Sequence, residues 1–264
     1  MTPLRPWEKE EYKVLHGVPN ESYVSWQSFE SHRDMAMYNG AMSMVQKYEK
    51  HIPRFTFENF SVGRQKVEVA RNQLAVHALQ KQADFILMTD NDMIYPVELF
   101  DLLIRHHADI VAPLAFTRNP PHLPVAYTYR SAWDPITKQE SFQAVQPGHL
   151  PENALVRCDA VGFGAVLIRT EVLKALPQPW FFNSTGSGED IYFCLTAAKH
   201  GFHTYMDTSI KTTHLGAQHL ITEAVAKAHW QALELPKKTA STADKHQEVY
   251  PQADAHHPPE PVRI

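Results

Sequence analysis

The sequence predicts an α/β fold, with helices packed on both faces of a largely parallel central sheet. Two observations carry this. Short apolar runs of strand length, "DFILMT" and "DIVAPL" among them, alternate with amphipathic segments of helix length along most of the chain. The composition, 44% hydrophobic and 20% charged over 264 residues, is that of a globular protein large enough to bury a substantial core.

The elements follow in order. "YKVLHGVP", Tyr12 to Pro19, is a short buried strand ended by Gly17 and Pro19. Between Tyr23 and Phe60 the chain is rich in Met and aromatic residues, with helical character around Met35 to Tyr48 and a turn at "HIPR". Val67, Ala70, Leu74 and Ala78 then form a helical stripe. "DFILMT" is the next strand. "PVELFDLLIRHH" is a helix with Pro96 near its first turn, where a missing N–H breaks no bond. "DIVAPL" is again a strand. From Thr117 to Leu150 the chain is Pro-rich and irregular, with short strands at "VAYTYR" and "SFQAV". "VRCDAVGFGAVLIR" is a strand with a glycine break, Thr170 caps a short helix "EVLKAL", and "GEDIYFCLTAAKHG" is a helix closed by Gly201. "HTYMD" and "SIKTTH" are two short strands, and a last helix covers Leu220 to Leu235. Residues 236–264 hold five prolines and no Leu, Phe, Met or Trp. Such a segment buries too little apolar area to offset the ordering of its backbone. The expected division is a folded domain over 1–235 and a disordered tail over 236–264.

Several function classes drop out on bulk properties. A formal net charge of −4 excludes an overall polyanion binder. Cys158 and Cys194 lack CxxC spacing, so they read as two reduced core thiols rather than a disulfide framework or zinc site. No stretch approaches the ~18–20 apolar residues needed to span a bilayer, and the N-terminus has no apolar signal-peptide core. A cytoplasmic protein without integral membrane contact is expected.

The chemistry centres on "ILMTDNDMIYP", Ile86 to Pro96. A wholly apolar strand delivers Asp90, Asn91 and Asp92 to its carboxyl end, where ligands bind in open α/β sheets. Two carboxylates one residue apart can converge on a hard cation, Mg²⁺ or Mn²⁺, which prefers oxygen ligands and often shares them with substrate phosphates. Alone, D-N-D is also ordinary turn chemistry. Around it stand "VARNQLAVHAL" before, then "CDAVGFGAVLIR", "GSGEDIYFCLTAAKHGFHTYMD" and "THLG" after. This ordered set, covering roughly Val67 to Gly216, resembles the GT-A glycosyltransferases, the nucleotide-sugar-dependent enzymes of the family-two kind, in the short versions found among bacteriophage and bacterial proteins.

The resemblance implies a GT-A α/β/α sandwich and transfer of a sugar from a nucleoside diphosphate sugar, a UDP-sugar foremost, to an acceptor hydroxyl with Mn²⁺ or Mg²⁺. It places Asp90 at ribose and metal, Asp92 on the metal, and His214 as the late histidine completing the metal site. Arg71 and Asn72, in the "ARN" block, would border the nucleotide with Asn91 and with Pro19, which is kept from the family's first-strand turn. Asp190 would be the general base of an inverting transfer and Glu189 its acceptor-side neighbour; as bare residues the pair also suits a helix N-terminus. Gly162 and Gly164 would let backbone approach a sugar, and Trp180 would stack on the acceptor, though core packing suits it as well. The acceptor is left as a glycan or a hydroxylated DNA base. Two other classes stay open: a metal-dependent nucleotidyltransferase, against which the missing Gly-rich phosphate loop with Lys counts, and a non-catalytic carbohydrate- or partner-binding protein on a transferase fold. The oligomeric state is not legible.

Overall fold

The structure, a computed structural model, describes residues 7–20, 25–47, 53–134, 139–144, 150–183, 187–216, 220–232, 250–251 and 262–263. The central sheet takes its first three strands from β1 (Glu11–Asn20), β2 (Arg54–Gly63) and β3 (Phe85–Thr89), linked by α1 (Trp26–Gln46) and α2 (Val67–Gln80). β1 pairs in parallel with both β2 and β3, so the chain turns one way from β1 and then the other. The crevice between the carboxyl ends of β1 and β3 is therefore a topological switch point.

Next come β4 (Met93–Ile94), α3 (Leu99–Ile104), β5 (Ile110–Leu114), the hairpin β6 (Ala126–Asp134) and β7 (Gln139–Ala144), then β8 (Ala154–Cys158), β9 (Ala160–Val161), β10 (Ala165–Arg169) and α4 (Thr170–Ala175). The chain continues through α5 (Glu189–Lys199), β11 (Thr204–Lys211), β12 (Thr213–Leu215), β13 (Leu220–Ile221) and α6 (Glu223–Ala232). Across the sheet the order is β8-β11-β5-β10-β3-β1-β2, with two-residue strands at Tyr250–Pro251 and Val262–Arg263 added on β8. The rest of the expected tail, 236–249, 252–261 and 264, lies outside the described residues, as do 233–235 of the last expected helix.

The result is a Rossmann-like α/β arrangement whose sheet is mixed rather than mostly parallel. β10 runs antiparallel to both β3 and β5, and β8 antiparallel to β11. β10 enters at the end where β3 leaves, Ala165 opposite Thr89, because the chain reaches it from β9 without a helix to carry it back. The apolar runs in β3 and β5 are buried at every position, which is why strand direction leaves no mark in their pattern.

Three boundaries differ from the sequence reading. α1 begins at Trp26, nine residues before Met35, because the Ser25 hydroxyl caps it by accepting from Ser28 N at 3.1 Å. β2 went unread, although "FTFENF" alternates. "HTYMD" and "SIKT" form one strand, β11, with an irregularity between Asp207 and Lys211. Cys158 and Cys194 are both buried and free, and burial pushes both thiols up. Among the described residues no helix is long and apolar enough to cross a membrane.

Candidate functional site

The site is built at the carboxyl end of β3. α2 sits directly on β1: a Cβ at Gly17 would come within 3.0 Å of Leu74 Cδ2. That contact brings Arg71, nearly one turn before Leu74, under the β3 tip. There the Arg71 Nη2 donates to Asp90 Oδ1 at 2.8 Å and to the Phe163 carbonyl at 3.0 Å, and Nη1 pairs with Glu189 Oε1. The guanidinium also lies over the Phe163 ring, 5.6 Å from its centroid. Arg71 is only 2% exposed. Burial works against its charge, but Asp90, Glu189 and Asp190 outweigh it and hold the guanidinium above its ordinary range. Burial raises Asp90 and Glu189, with Arg71 opposing it in each case.

Asp90 is locked from its backbone too. Its N–H donates to the Gly164 carbonyl at 2.8 Å. The Tyr95 hydroxyl lies 2.9 Å from the Asp90 carbonyl and 2.5 Å from that of Gly164, and Ser31 of α1 accepts from Tyr95 N at 2.8 Å. Gly164 thus shapes the β3–β10 junction. Gly162 has a packing reason of its own, since a Cβ there would fall 2.8 Å from the Val125 Cβ.

Asp92 belongs to a second group two residues on. β4 pairs with β12 in the register His214↔Met93, and Leu215 N donates to the Asp92 carbonyl at 2.9 Å. This small sheet closes a long sequence gap and sets His214 Nε2 3.2 Å from Asp92 Oδ2. The other ring nitrogen, Nδ1, is 3.0 Å from the Phe116 carbonyl. A carbonyl only accepts, so Nδ1 carries a proton; a neutral ring then turns its Nε2 lone pair on the carboxylate, and a protonated ring donates to it. Burial lowers the His214 pKa, with Arg118 adding to it, which favours that neutral ring. With the ring neutral the pair is two acceptors at a separation that a proton or a cation can bridge. In the structure the Arg118 guanidinium pairs with Asp92 Oδ2. Among the described residues no group of three or more His, Cys, Asp or Glu is arranged to hold a metal. The pair nonetheless fits a partial shell for Mn²⁺ or Mg²⁺, which is often completed by substrate phosphates.

At the edge of the site, α5 opens with Glu189 and Asp190 after the N-cap Gly188. Asp190 Oδ1 accepts from Ile191 N at 2.8 Å, which fixes the carboxylate over the helix end. A Cβ at Gly188 would stand 2.7 Å from that oxygen. Pro19 is buried past the end of the β1–β3 ladder, and Asn91 lies in the turn between the two acidic residues.

Two expected ligand contacts have structural duties instead. Asn72 has its amide fully used: Nδ2 donates to the Glu68 and Phe181 carbonyls at 2.8 and 2.7 Å, and Oδ1 accepts from Trp180 N and Phe181 N at 3.0 and 3.3 Å. No capacity is left for a nucleotide. Trp180 is 3% exposed, and its indole N–H donates to the Leu173 carbonyl at 2.7 Å, so its ring packs in the core rather than facing an acceptor. Asn72→Ala is expected to cost roughly 1–3 kcal/mol, the range for stranding buried backbone partners. Thermal unfolding and limited proteolysis between Gln178 and Asn183 would show it; an unchanged melting temperature would contradict the clamp.

Several site residues carried no sequence signal. His16 and His32 both reach the Thr89 hydroxyl, at 2.8 and 3.1 Å, and Asn59 meets the other nitrogen of His16 at 2.9 Å. Burial pushes His16 down to about 4 and lowers His32 as well, which disfavours charge beneath the switch point. These residues, Tyr95 and Arg118 come from separate elements, and only the tertiary fold brings them together. A groove of about 720 Å³ lies instead on the solvent face of α2, lined by Phe60, Val69, Asn72, Val76, Gln178 and Trp180 among others, away from these carboxylates.

No protein-family model matches this chain, and no curated protein matches its sequence. Among solved structures it is similar to A197 from STIV, with a TM-score of 0.51 at 17% identity over 80% of this chain and 93% of that one. It also overlaps GalNAc-T7, solved with UDP, GalNAc and Mn²⁺, with a TM-score of 0.49 at 12% identity over 77% of this chain and 44% of that one. A third overlap is with apo UDP-glucose pyrophosphorylase, with a TM-score of 0.44 at 7% identity over 84% and 98%. The likeness to A197 speaks for the α/β fold alone, and the other two scores are too low to support an inference.

Proposed function

We propose that this chain is a metal-dependent glycosyltransferase that moves a sugar from a nucleoside diphosphate sugar, a UDP-sugar foremost, to an acceptor hydroxyl with inversion. The observation that carries this is the pairing of His214 Nε2 with Asp92 Oδ2 at 3.2 Å, beside an Asp90 held by a buried arginine at a switch point. A bound Mn²⁺ or Mg²⁺ would supply charge neutralisation for the diphosphate leaving group. Asp92 and His214 would hold it, with Asp90 alongside.

The chain's own residues do the rest. Arg71, itself paired with Glu189, braces Asp90, so the carboxylate is oriented before substrate arrives, which is where electrostatic catalysis gains most. Arg118 is half-exposed and free to follow negative charge from Asp92 to a phosphate. Asp190 stands at the rim, one oxygen fixed on its own helix, and takes the proton from the acceptor hydroxyl as that oxygen attacks the anomeric carbon. The acceptor class is a glycan or a hydroxylated DNA base.

Asp92→Asn is expected to abolish Mn²⁺-dependent turnover and weaken Mn²⁺ binding at least about tenfold, the range for losing a metal-site group. The melting temperature should hold, because Asp92 is partly exposed and outside the core. Titration calorimetry with Mn²⁺ alone, beside a thermal melt, checks both. Full Mn²⁺ affinity in the variant would remove Asp92 from the metal site.

A further inference from the structure

α1 is built inside out. Its sheet-facing side is mostly polar: Ser28, Ser31, Asn39, Ser43 and Gln46 are buried there with Met35 as the one large apolar residue. Ser31 is spent on the Tyr95 backbone, and Gln46 Oε1 accepts from Phe55 N at 3.1 Å. The solvent side, beside Gln27, Arg33 and Asp34, carries large apolar residues: Trp26 is 65% exposed, Phe29 50%, Met37 68%, Met44 71% and Val45 48%. Among the described residues, half of the large exposed hydrophobic side chains sit on this helix. Trp26, Phe29, Arg33, Met37, Gly40 or Ala41, and Met44 follow one another at steps of three or four, so they form a single ridge along the helix.

We propose that this ridge is the contact face of a homodimer, in which α1 packs antiparallel against α1 of a second copy of this chain about a twofold axis between Arg33 and Met37.

Three observations select that occupant. The first is Gly40, which sits on the ridge toward its C-terminal end with no atom within 4 Å of where a Cβ would be. A glycine inside an exposed helix is unfavourable, and no contact among the described residues requires it. Its use is the close approach of another backbone, as at a helix crossing. The second is area. The four apolar side chains of the ridge present on the order of 550 Å² per copy, so twofold pairing that covered all of them would bury about 1,100 Å², just above the ~1,000 Å² that a biological interface should clear. The third is charge. The helix carries Glu30, Arg33 and Asp34, with Lys47 at its C-cap, so its charges nearly balance, whereas helices that lie on lipid are rich in Lys and Arg. The chain's own segment 236–264 has no Leu, Phe, Met or Trp to offer such a ridge. An isologous contact needs nothing beyond the ridge itself.

The test is sedimentation of the full chain across micromolar concentrations, with three variants. The wild type should sediment at twice the monomer mass. Met37→Glu and Met44→Glu should each raise the dissociation constant at least about tenfold, as for central interface side chains. Gly40→Leu separates interface from folding: the monomer has room for the side chain and its melting temperature should hold or rise, while the dimer should weaken by about tenfold or more. A wild type that is monomeric throughout would overturn the proposal. So would a dimer indifferent to Met37→Glu and Gly40→Leu, which would place the contact elsewhere. A monomeric wild type that pellets with phosphatidylcholine–phosphatidylglycerol vesicles would assign the ridge to a lipid surface instead.

Discussion

Arg71→Met is expected to abolish activity and to lower stability at neutral pH by about 3–5 kcal/mol, the range for breaking a buried ion pair on one side. Arg71 is the only cation facing Asp90 and Glu189 among the described contacts of either carboxylate, and it is itself buried. Removing it leaves two carboxylates in a poorly solvated place. The effect has a sign in pH. Burial already raises both carboxyl groups above their ordinary range while Arg71 opposes the rise, so its loss raises them further. A carboxyl raised on folding stabilises at pH below its unfolded value, and that contribution is lost as pH rises through the folded value. The deficit of the variant should therefore be largest near neutrality and shrink on acidification. Urea melts of wild type and variant at about pH 7 and about pH 5 would show it. Arg71→Lys should rescue little, because an ammonium cannot span Asp90, Glu189 and the Phe163 carbonyl at once. A deficit that does not change with pH would contradict the assignment of these charges.

Asp190→Asn should lower transfer to the acceptor by ~10²–10⁴-fold, the range for general-base catalysis, with donor and Mn²⁺ binding nearly unchanged. The base acts only as the acceptor hydroxyl becomes nucleophilic, so its removal costs transition-state stabilisation rather than ground-state binding. Asn keeps the side-chain oxygen that accepts from Ile191 N, so the helix end should survive. Near-normal transfer would remove Asp190 from the base role. A product with the donor's anomeric configuration would leave it a binding role only.

Legibility followed the range of the interactions. β3, β5 and α5 were readable because burial and capping are local and leave periodic marks. The β3 tip was readable because an apolar strand ending in D-N-D places its carboxylates by itself. α1 hid its first nine residues because its apolar side chains face solvent and its polar ones face the sheet, inverting the usual stripe. The direction of β10 was invisible because a strand buried on both faces reads the same either way. Asn72 misled for a related reason. Its position in "ARN" is local, but its four partners are set by a loop more than a hundred residues away and by its own helix. Arg118 and the His16–Thr89–His32 chain are pure tertiary products.

The most direct measurement is a donor screen with Mn²⁺, following what leaves each UDP-, GDP- and CDP-sugar in the presence of wild type and Asp92→Asn. The account predicts nucleoside diphosphate from one donor class, fastest with UDP-sugars, dependent on Mn²⁺ and absent in the variant. Sugar 1-phosphate as the product, from cleavage between the two phosphates, would make the chain a nucleotidyltransferase, and donor binding without release of either product would make it a binding protein; each result would contradict glycosyl transfer at the β3 tip.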